Sequence, residues 1–250
     1  MKGASPQGVG SEQEAARWVR GMFGRVAHRY DLANHLLSFN IDRYWRRHTV
    51  QRVSTVLEHP GARVLDLCCG TGDLFLALRR ASPQAAVFGS DFCHPMLIAA
   101  HGKAARQRAG TPLFEADALR LPVPDGSFDL VTVAFGFRNL ANYDAGLAEM
   151  MRILRPGGAA AILEFSQPPN AAFRGLYNLY SRRILPWIGG ALSGSRDAYT
   201  YLPDSVRAFP SATELAEGMR RAGFTRVSFE YLTGGIVALH VGYSTTAPAL

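Results

Sequence analysis

The sequence predicts an α/β protein built on a doubly wound, seven-stranded, mostly parallel sheet. Two observations carry this prediction. Apolar strand patterns alternate with helical patterns along most of the chain, which is typical of such sheets. The first strand pattern also runs into a Gly-x-Gly turn at Gly70 and Gly72, and a helical pattern begins at Leu74. A strand, a glycine turn and a helix in this order bring bare backbone close to a nucleotide-like ligand.

The individual elements follow from periodicity and from the residues that stop it. We predict strands at Arg63–Leu67, Ala85–Ser90, Leu113–Glu115, Phe128–Ala134, Ala159–Phe165, Arg226–Tyr231 and Ile236–Tyr243. Helices are predicted at Pro95–Arg108, at Asp144–Leu154, and from a capping box at Ser211–Glu214 to Gly223. The segment Arg155–Gly158 is expected to end the second of these helices, and Thr233–Gly235 to join the last two strands as an antiparallel hairpin.

The chain of 250 residues is long enough for one domain with a full core. We expect a loose, polar segment at 1–10 and a single domain over 11–250. Two parts of that domain lie outside the predicted sheet: an N-terminal helical cap at 11–60 with two amphipathic patterns, and a helical insertion at 168–209. The insertion carries an apolar stripe at helical spacing, Phe173, Leu176, Tyr177, Tyr180 and Ile184. The stripe indicates either a helix packed on the sheet or a lid over an apolar substrate that touches a membrane.

Composition and charge limit the class of protein. Hydrophobic residues make up 48% of the chain and charged residues 19%, which is typical of a globular domain. No apolar run reaches the length of a membrane span, and the first ten residues lack the apolar core of a signal peptide, so we expect a cytoplasmic protein. The formal net charge of +7 is compatible with nucleic acid, with an anionic membrane or with no particular partner. Because there is no block of lysine or arginine, a membrane surface is the better prediction than nucleic acid.

The three cysteines, Cys68, Cys69 and Cys93, predict neither a disulfide framework nor a metal site, because their number is odd and their spacing suits neither. Small apolar filler is the ordinary role of a buried cysteine. A redox-sensitive ligand pocket is the alternative, since Cys69 adjoins the glycine turn. No metal ligand is predicted in the chain.

The residues around the glycine turn indicate its ligand. A dinucleotide-binding turn needs a third small residue where this chain has Phe75, and a phosphate loop needs a Gly-Lys-Ser/Thr run that this sequence lacks. Asp91 ends the second strand pattern about 20 residues after the turn, where a carboxylate accepts hydrogen bonds from ribose hydroxyls. With a further acid at Asp117, the pattern resembles motifs I and II of the S-adenosylmethionine-dependent methyltransferases.

Four separated segments resemble one family of these enzymes, the ubiquinone/menaquinone biosynthesis C-methyltransferases. They are Val26–Asn34 with Arg43–Trp45, the glycine turn, Ala134–Leu140 with Leu163–Ser166, and Tyr199–Pro210 with Gly234–His240. The chain departs from the family where cysteines stand at 68 and 69 instead of small residues, where Ala134 replaces a serine, Asn40 a glycine and Asp42 a histidine. The change to alanine removes a hydroxyl that would hydrogen-bond the cofactor. Asparagine tolerates a left-handed backbone, and no role is predicted for Asp42.

The resemblance implies a class I methyltransferase (Rossmann-like) fold and the transfer of a methyl group from S-adenosylmethionine to a ring carbon of a reduced polyprenyl quinone. The implied cofactor-binding residues are Asp66, Gly70, Thr71, Gly72, Asp91, Asp117, Ala118 and Ala134. The two glycines and Thr71 would meet the methionine part, and Asp66 would orient the turn or the amino group. Asp91 would hold the ribose, and Asp117 with Ala118 would hold the adenine.

Arg138 is the first candidate for the chemistry. It is expected to stabilise a phenolate that develops on the acceptor, directly or through water, because an arginine is a poor base. A structural salt bridge is the alternative. His28, Tyr30, Tyr201 and Asp204 are the other candidates near the predicted lid. The ordinary pKa of histidine suits a base, although a lone histidine is more often structural, and no single base is predicted.

Other functions remain open at this point. A fatty acyl chain would suit the aromatic insertion as well as an isoprenoid tail does, so the acceptor is either a quinol or another lipid or small molecule. A non-catalytic S-adenosylmethionine-binding subunit is disfavoured by the three intact acids, and a nicotinamide oxidoreductase by Phe75. The predicted partners are a polyprenyl quinol, the inner face of a membrane and a second copy of the chain, without nucleic acid. The sequence does not choose between the menaquinone and ubiquinone pathways.

Overall fold

The computed structural model describes residues 3–6, 8–28, 30–107, 110, 112–181 and 196–245. The described strands are β1 (Arg63–Leu67), β2 (Ala86–Asp91), β3 (Leu113–Glu115), β4 (Phe128–Ala134), β5 (Leu154–Phe165), β6 (Thr225–Leu232) and β7 (Val237–Tyr243). They form one sheet in the order β3-β2-β1-β4-β5-β7-β6. The first five strands are parallel, and β7 pairs antiparallel with both β5 and β6. The predicted parallel sheet with an antiparallel terminal hairpin is confirmed.

Helices precede, connect and follow the strands. The N-terminal ones are α1 (Glu12–Val26), α2 (Tyr30–Leu37), α3 (Ile41–Arg52) and α4 (Ser54–Leu57). The others are α5 (Asp73–Ala81), α6 (His94–Arg106), α7 (Tyr143–Ile153), α8 (Ala171–Leu179), α9 (Arg196–Ala208) and α10 (Ala212–Arg221). The capping box predicted at the start of α10 is present, since Ser211 and Glu214 each bond the other's backbone N–H. Ile184, the last residue of the predicted apolar stripe, lies outside the described residues.

The strand order reverses between β1 and β4. In open α/β sheets, ligands bind beyond the carboxyl ends of the strands at such a switch point. The glycine turn follows β1, Asp91 ends β2 and Ala134 ends β4. The topology therefore brings these three features to one edge of the sheet.

The central strands of the sheet are buried on both faces. Val64 of β1 belongs to a core with Phe75 and Leu78 of α5. Its neighbour Leu65 belongs to the opposite core, with Leu147 of α7, because successive side chains in a strand point to opposite faces. Burial on both faces explains the apolar run in the sequence and fixes the strand ends that carry the site.

Two local predictions differ from the structure. Helix α7 gives way directly to β5 at Leu154, so the predicted stop at Arg155–Gly158 lies inside the strand. This is tolerated because the β4–β5 register shifts between Phe128 and Leu130, opposite that segment. The N-terminal cap forms four helices instead of two patterns. Phe39 and Asn40 have φ angles of 52° and 60°, and this left-handed backbone, expected for Asn40, separates α2 from α3.

Candidate active site

A cavity of about 600 Å³ opens at the carboxyl edge of the sheet. Most of the residues predicted for the site line it, namely Asp66, Gly70, Thr71, Asp91, Asp117, Ala118, Ala134, Arg138, Tyr30 and Tyr201. Three predicted residues do not. Gly72 is buried in the turn, and His28 and Asp204 are exposed on the protein surface.

The two glycines of the turn have different surroundings. Both adopt positive φ angles, 54° at Gly70 and 85° at Gly72, which side chains rarely allow. A Cβ added at Gly70 would meet nothing within 4 Å, so this residue offers bare backbone to the cavity. A Cβ added at Gly72 would lie 3.2 Å from the Cβ of Ala100 in α6. Gly70 therefore faces the ligand, whereas Gly72 allows the turn to pack on α6.

Phe75 of α5 stands where a dinucleotide-binding turn has a small residue, and it is fully buried. A Cβ added at Gly89 of β2 would lie 3.3 Å from its ring. The ring thus fills the space between α5 and the sheet. In a dinucleotide-binding turn, the small residue at this position lets the helix pack close to the sheet.

Asp91 connects the second strand to the glycine turn. Its Oδ2 accepts a hydrogen bond of 2.9 Å from the Gly70 N–H, and its Oδ1 accepts one of 2.9 Å from the Cys93 N–H. Only 7% of the residue is exposed, and burial raises its pKa to about 6 against the opposing effect of these N–H donors. Because a carboxylate oxygen accepts more than one hydrogen bond, Asp91 retains acceptor capacity toward the cavity.

Asp66 is deeply buried, with 1% of the residue exposed. Its Oδ1 accepts a hydrogen bond of 2.8 Å from the Thr132 hydroxyl, whereas its buried Oδ2 has no partner among the described residues. Burial raises the pKa of this carboxyl to about 7, although the hydrogen bond from Thr132 opposes the rise. A buried polar atom without a partner is costly and indicates a place where a ligand donates.

The adenine end of the predicted site has one acid and two alanines. Asp117 is exposed, and its Oδ1 accepts a 2.9 Å hydrogen bond from the Leu119 N–H. Ala118 is buried beside it. Ala134 lies at the end of β4 and lines the cavity without a hydroxyl. The carboxylate thus has one oxygen in a tight turn and the other available at the cavity wall.

Thr71 is part of an ion-pair network that the sequence did not predict. Its hydroxyl donates to Asp31 of α2 and accepts a hydrogen bond of 3.2 Å from Lys103 of α6. Lys103 also pairs with Asp31 at 2.7 Å and with Asp73 at 2.5 Å. The Thr71 hydroxyl therefore holds α2 and α6 against the turn.

A second group of polar residues extends this network to α3. Asp42 is buried and accepts hydrogen bonds of 2.7 Å from both His35 Nδ1 and the Ser38 hydroxyl. Arg46, one turn further along α3, pairs with Asp42 and has its Nη2 3.7 Å from Asp73 Oδ2. The one signal in the sequence was the Asp42/Arg46 spacing of i, i+4, which is common on helix surfaces and carries no functional information by itself.

Arg138 lies in the 3-10 turn Phe137–Asn139 that follows β4, and 5% of the residue is exposed. Its Nη1 donates to Glu164 Oε1 at 3.1 Å and to the Phe135 carbonyl, and its Nε donates to the Ser205 hydroxyl at 3.3 Å. Burial alone would lower the pKa of Arg138, but Glu164 raises it above its ordinary value. Arg138 is therefore both a structural ion pair and a fixed positive charge at the cavity wall. Glu164 belongs to the segment Leu163–Ser166 that resembles the family, but no role was predicted for it.

The tyrosines near Arg138 remain protonated at neutral pH. The Tyr201 hydroxyl donates to Asn139 Oδ1 at 3.2 Å, and burial raises the pKa of Tyr201 to about 12. Burial also raises the pKa of Tyr30, with Arg138 opposing the rise. Both side chains are suited to donate hydrogen bonds and not to remove a proton.

The cysteines favour the interpretation as apolar filler. Burial raises the pKa of Cys68 and Cys69 well above the ordinary thiol value, and Asp91 adds to the rise. Oxidation proceeds through the thiolate, which this environment disfavours. A Cβ added at Gly136 would lie 2.4 Å from the Cβ of Cys68, so the turns that follow β1 and β4 are in close contact there.

The other half of the cavity is apolar. The rings of Trp45, Phe135 and Phe165 pack together, with 4.8 Å between the centroids of the two phenylalanines. Toward the mouth the lining continues with Phe173, Leu176, Tyr177, Leu179 and Tyr180 from the insertion. The predicted stripe therefore lines the cavity, as far as the described residues extend.

A sheet of this order, with a glycine turn and acids at the ends of β1 and β2, defines a class I S-adenosylmethionine-dependent methyltransferase fold. A methyltransferase of Thermotoga maritima superposes on 90% of this chain and 99% of its own, with a TM-score of 0.62 and 20% identity. One of Aquifex aeolicus superposes on 78% and 88%, with a TM-score of 0.55 and 18% identity.

The chain belongs to the ubiE/COQ5 methyltransferase family, whose sequence profile matches residues 9–244. A demethylmenaquinone methyltransferase of Thermus thermophilus is 50% identical over 88% of this chain and 99% of its own length. One of Deinococcus radiodurans is 47% identical over 94% and 95%. A ubiquinone/menaquinone biosynthesis C-methyltransferase of Nitrosospira multiformis is 43% identical over 93% and 94%. The chain is thus a methyltransferase that uses S-adenosylmethionine, and the predicted fold, family, enzyme class and cofactor are confirmed.

Proposed function

We propose that the protein methylates a ring carbon of a reduced polyprenyl quinone, with demethylmenaquinol as the first acceptor to test. One observation carries the proposal: the cavity joins an acid-lined half at the glycine turn to an aromatic half that leads to the surface, and Arg138 lies in its wall. Two relatives near half identity are named demethylmenaquinone methyltransferases, which favours that acceptor over the ubiquinone precursor.

The residues at the polar half fit S-adenosylmethionine. The unpartnered Oδ2 of Asp66 suits its ammonium group, and the open space at Gly70 suits an approach to the backbone. Asp91 retains acceptor capacity for the ribose, and Asp117 for the exocyclic amine of adenine. Thr71 supports the turn through its contacts with Asp31 and Lys103, and contributes a hydroxyl at the same wall.

When bound, S-adenosylmethionine supplies a methyl group that is already electrophilic. The chain aligns the acceptor and excludes water, and orientation of this kind supplies about 7–11 kcal/mol of barrier reduction. A ring carbon becomes nucleophilic when a neighbouring phenol, with an ordinary pKa of about 10, loses its proton. The fixed charge of Arg138 stabilises the phenolate oxygen. The hydroxyl of Tyr30 lines the same cavity as a further donor, whereas that of Tyr201 donates to Asn139. The raised pKa of each tyrosine argues against either as the base.

We also propose that the cavity mouth docks on an anionic membrane leaflet. No described helix is long and apolar enough to cross a membrane. Exposed apolar side chains, defined here as the apolar rim, line the cavity or lie close by in sequence. Phe39, Ile41, Leu176 and Leu179 line it, and Leu36 and Tyr44 are exposed on α2 and α3. Phe39 is 74% exposed, and its ring lies 6.5 Å from that of Tyr180 across the mouth. Arg43 and Arg47 of α3 are exposed beside the rim and suit anionic headgroups.

Mass spectrometry of quinones tests the choice of acceptor. The purified protein is incubated with S-adenosylmethionine and either demethylmenaquinol or the reduced ubiquinone precursor, each with the same prenyl tail. We expect methylation of demethylmenaquinol, and faster turnover than for a tailless naphthoquinol because the aromatic half binds the tail. Equal turnover with and without a tail would contradict the role given to the apolar half. The division at 11–60 and 168–209, the cytoplasmic location and a homodimer stay predictions.

A further inference from the structure

We propose that Arg46 binds the carboxylate of the cofactor's amino-acid group, and that Asp42 positions Arg46 for this contact. The inference rests on S-adenosylmethionine as the cofactor and not on the identity of the acceptor. Neither residue was among those predicted for the site.

The amino-acid end of the cofactor is a zwitterion, so its site needs an acceptor for the ammonium and a donor for the carboxylate. Among the described residues, the cavity is lined by three arginines, Arg46, Arg138 and Arg207, and by no lysine. Arg138 is held by Glu164 on the acceptor side, and Arg207 is exposed beside Asp204. Arg46 is the cation that remains for the carboxylate.

Arg46 lies at the end of the cavity that is formed by the glycine turn. Its guanidinium carbon is 5.4 Å from the ring centroid of Phe135, just after β4, and its Nη2 is 3.7 Å from Asp73, just after the glycine turn. The second distance is too long for a hydrogen bond, so that edge of the guanidinium is not saturated by Asp73. The positive charge also opposes the rise in the pKa of Asp66, which places the two side chains in the same electrostatic environment.

Together, Asp66 and Arg46 match the two charges of an α-amino acid. The unpartnered Oδ2 of Asp66 accepts from the ammonium, and the planar fork of an arginine is suited to grip a carboxylate with two parallel hydrogen bonds. The first of these sites is an orphaned buried atom, and the second is a partly buried cation with 13% of its side chain exposed.

Asp42 keeps Arg46 in that position. It lies one helical turn before Arg46, is buried, and is itself fixed by His35 and Ser38. Burial alone would raise the pKa of Asp42, but its bonds with Ser38, Arg46 and His35 outweigh this and hold the pKa below its ordinary value. The carboxylate therefore stays charged at neutral pH and restrains the guanidinium from turning toward solvent.

Binding of cofactor analogues, measured by titration calorimetry without any acceptor, tests the proposal. S-adenosylhomocysteine carries the carboxylate, and its decarboxylated analogue keeps the amine but lacks it. We expect Arg46→Ala to weaken S-adenosylhomocysteine by about 10- to 100-fold and the decarboxylated analogue by less than about twofold. Arg46→Lys, which keeps the charge but not the fork, should give an intermediate loss. Arg52→Ala, which removes an exposed arginine at the end of the same helix, is the matched control.

The positioning role of Asp42 has a separate readout. Asp42→Asn should weaken S-adenosylhomocysteine by about 3- to 10-fold, in the same analogue-selective way, because the asparagine no longer fixes the charge of Arg46. Thermal unfolding of each variant monitors folding. An equal loss for both analogues, or no loss in Arg46→Ala, would overturn the proposal while leaving the choice of acceptor untouched.

Discussion

Arg138 and Glu164 form a buried ion pair behind the wall of the cavity, with 3.1 Å between Nη1 and Oε1. The two side chains come from different strand ends, and Glu164 is 1% exposed. The carboxylate also accepts from the Arg138 backbone N–H at 3.1 Å and so fixes the turn as well as the guanidinium. The charge that faces the acceptor is therefore fixed before the acceptor binds, which is the condition for electrostatic catalysis.

Loss of Glu164 should destabilise the protein. In Glu164→Gln the guanidinium of Arg138 stays buried without its counter-charge, and breaking such a pair costs about 3–5 kcal/mol of the free energy of unfolding. Urea unfolding measures the change. Asp125→Asn, which breaks an exposed pair with Arg152, is the control and should cost at most about 1 kcal/mol. Equal changes in the two variants would contradict the importance given to the buried pair.

Arg138→Ala should lose turnover while keeping the cofactor. We expect kcat to fall by about 100- to 1000-fold, the usual cost of removing a stabilising donor, with S-adenosylhomocysteine affinity within about twofold of the wild type. Arg138→Lys guards against a folding defect, because it keeps a positive charge opposite Glu164. If turnover survives within a few-fold in both variants, Arg138 is structural only.

Asp91→Asn should weaken cofactor binding by about tenfold or more, because an amide offers one acceptor oxygen where the carboxylate offers two. The loss will include a cost in stability, since Asp91 also bonds the Gly70 and Cys93 N–H groups. Calorimetry gives the affinity, and a melting curve separates the two effects. An unchanged affinity would refute the ribose role.

Cofactor affinity should fall as the pH is lowered. In the cofactor-free protein, burial raises the pKa of Asp66 to about 7 and that of Asp91 to about 6. A raised carboxyl pKa stabilises the fold below the unfolded value of about 3.9, and this contribution disappears as the pH rises through the folded value. The cofactor needs the ionised carboxylates, so its affinity follows the opposite trend. It should drop by about tenfold per pH unit between the two pKa values and more steeply below the lower one. Calorimetry across this range should show a flatter profile for Asp66→Asn.

The apolar rim should bind anionic vesicles. Phe39→Asn is the sharpest variant, because asparagine suits the left-handed backbone at this position and removes the ring without a folding cost. Removal of one buried aromatic ring costs about 1.5–3 kcal/mol, so sedimentation with anionic vesicles should weaken by about 10- to 100-fold. Ile98→Ser removes another exposed apolar side chain, 61% exposed on α6, and should have no effect. Equal binding by both variants would refute the docking surface.

Most of the fold was predictable because burial on both faces gives the strands a clear sequence signal. The Asp91 spacing and Phe75 also identified the type of ligand, since both report geometry next to a strand end. The predicted start of β5 was wrong because Pro156 and Gly157 usually interrupt a strand. A register shift between β4 and β5 accommodates them there.

The missed parts of the site depend on contacts between distant segments. Glu164 meets Arg138 across two strand ends, and Arg46 of α3 lies beside Asp73 of α5. Nothing in the spacing of these residues reveals such pairs. The exposure of His28 could not be predicted from the sequence either. Its neighbours carry the family motif, while its own side chain lies outside the cavity.

Methylation of a quinol ring carbon can be followed with S-adenosylmethionine that carries a deuterated methyl group. Demethylmenaquinone is offered in its reduced and oxidised forms, and the product is analysed by tandem mass spectrometry. We expect label on a ring carbon of the reduced form and none on the oxidised form, because only the quinol has a phenol to ionise. Label on a ring oxygen, or no label on either form, would contradict it.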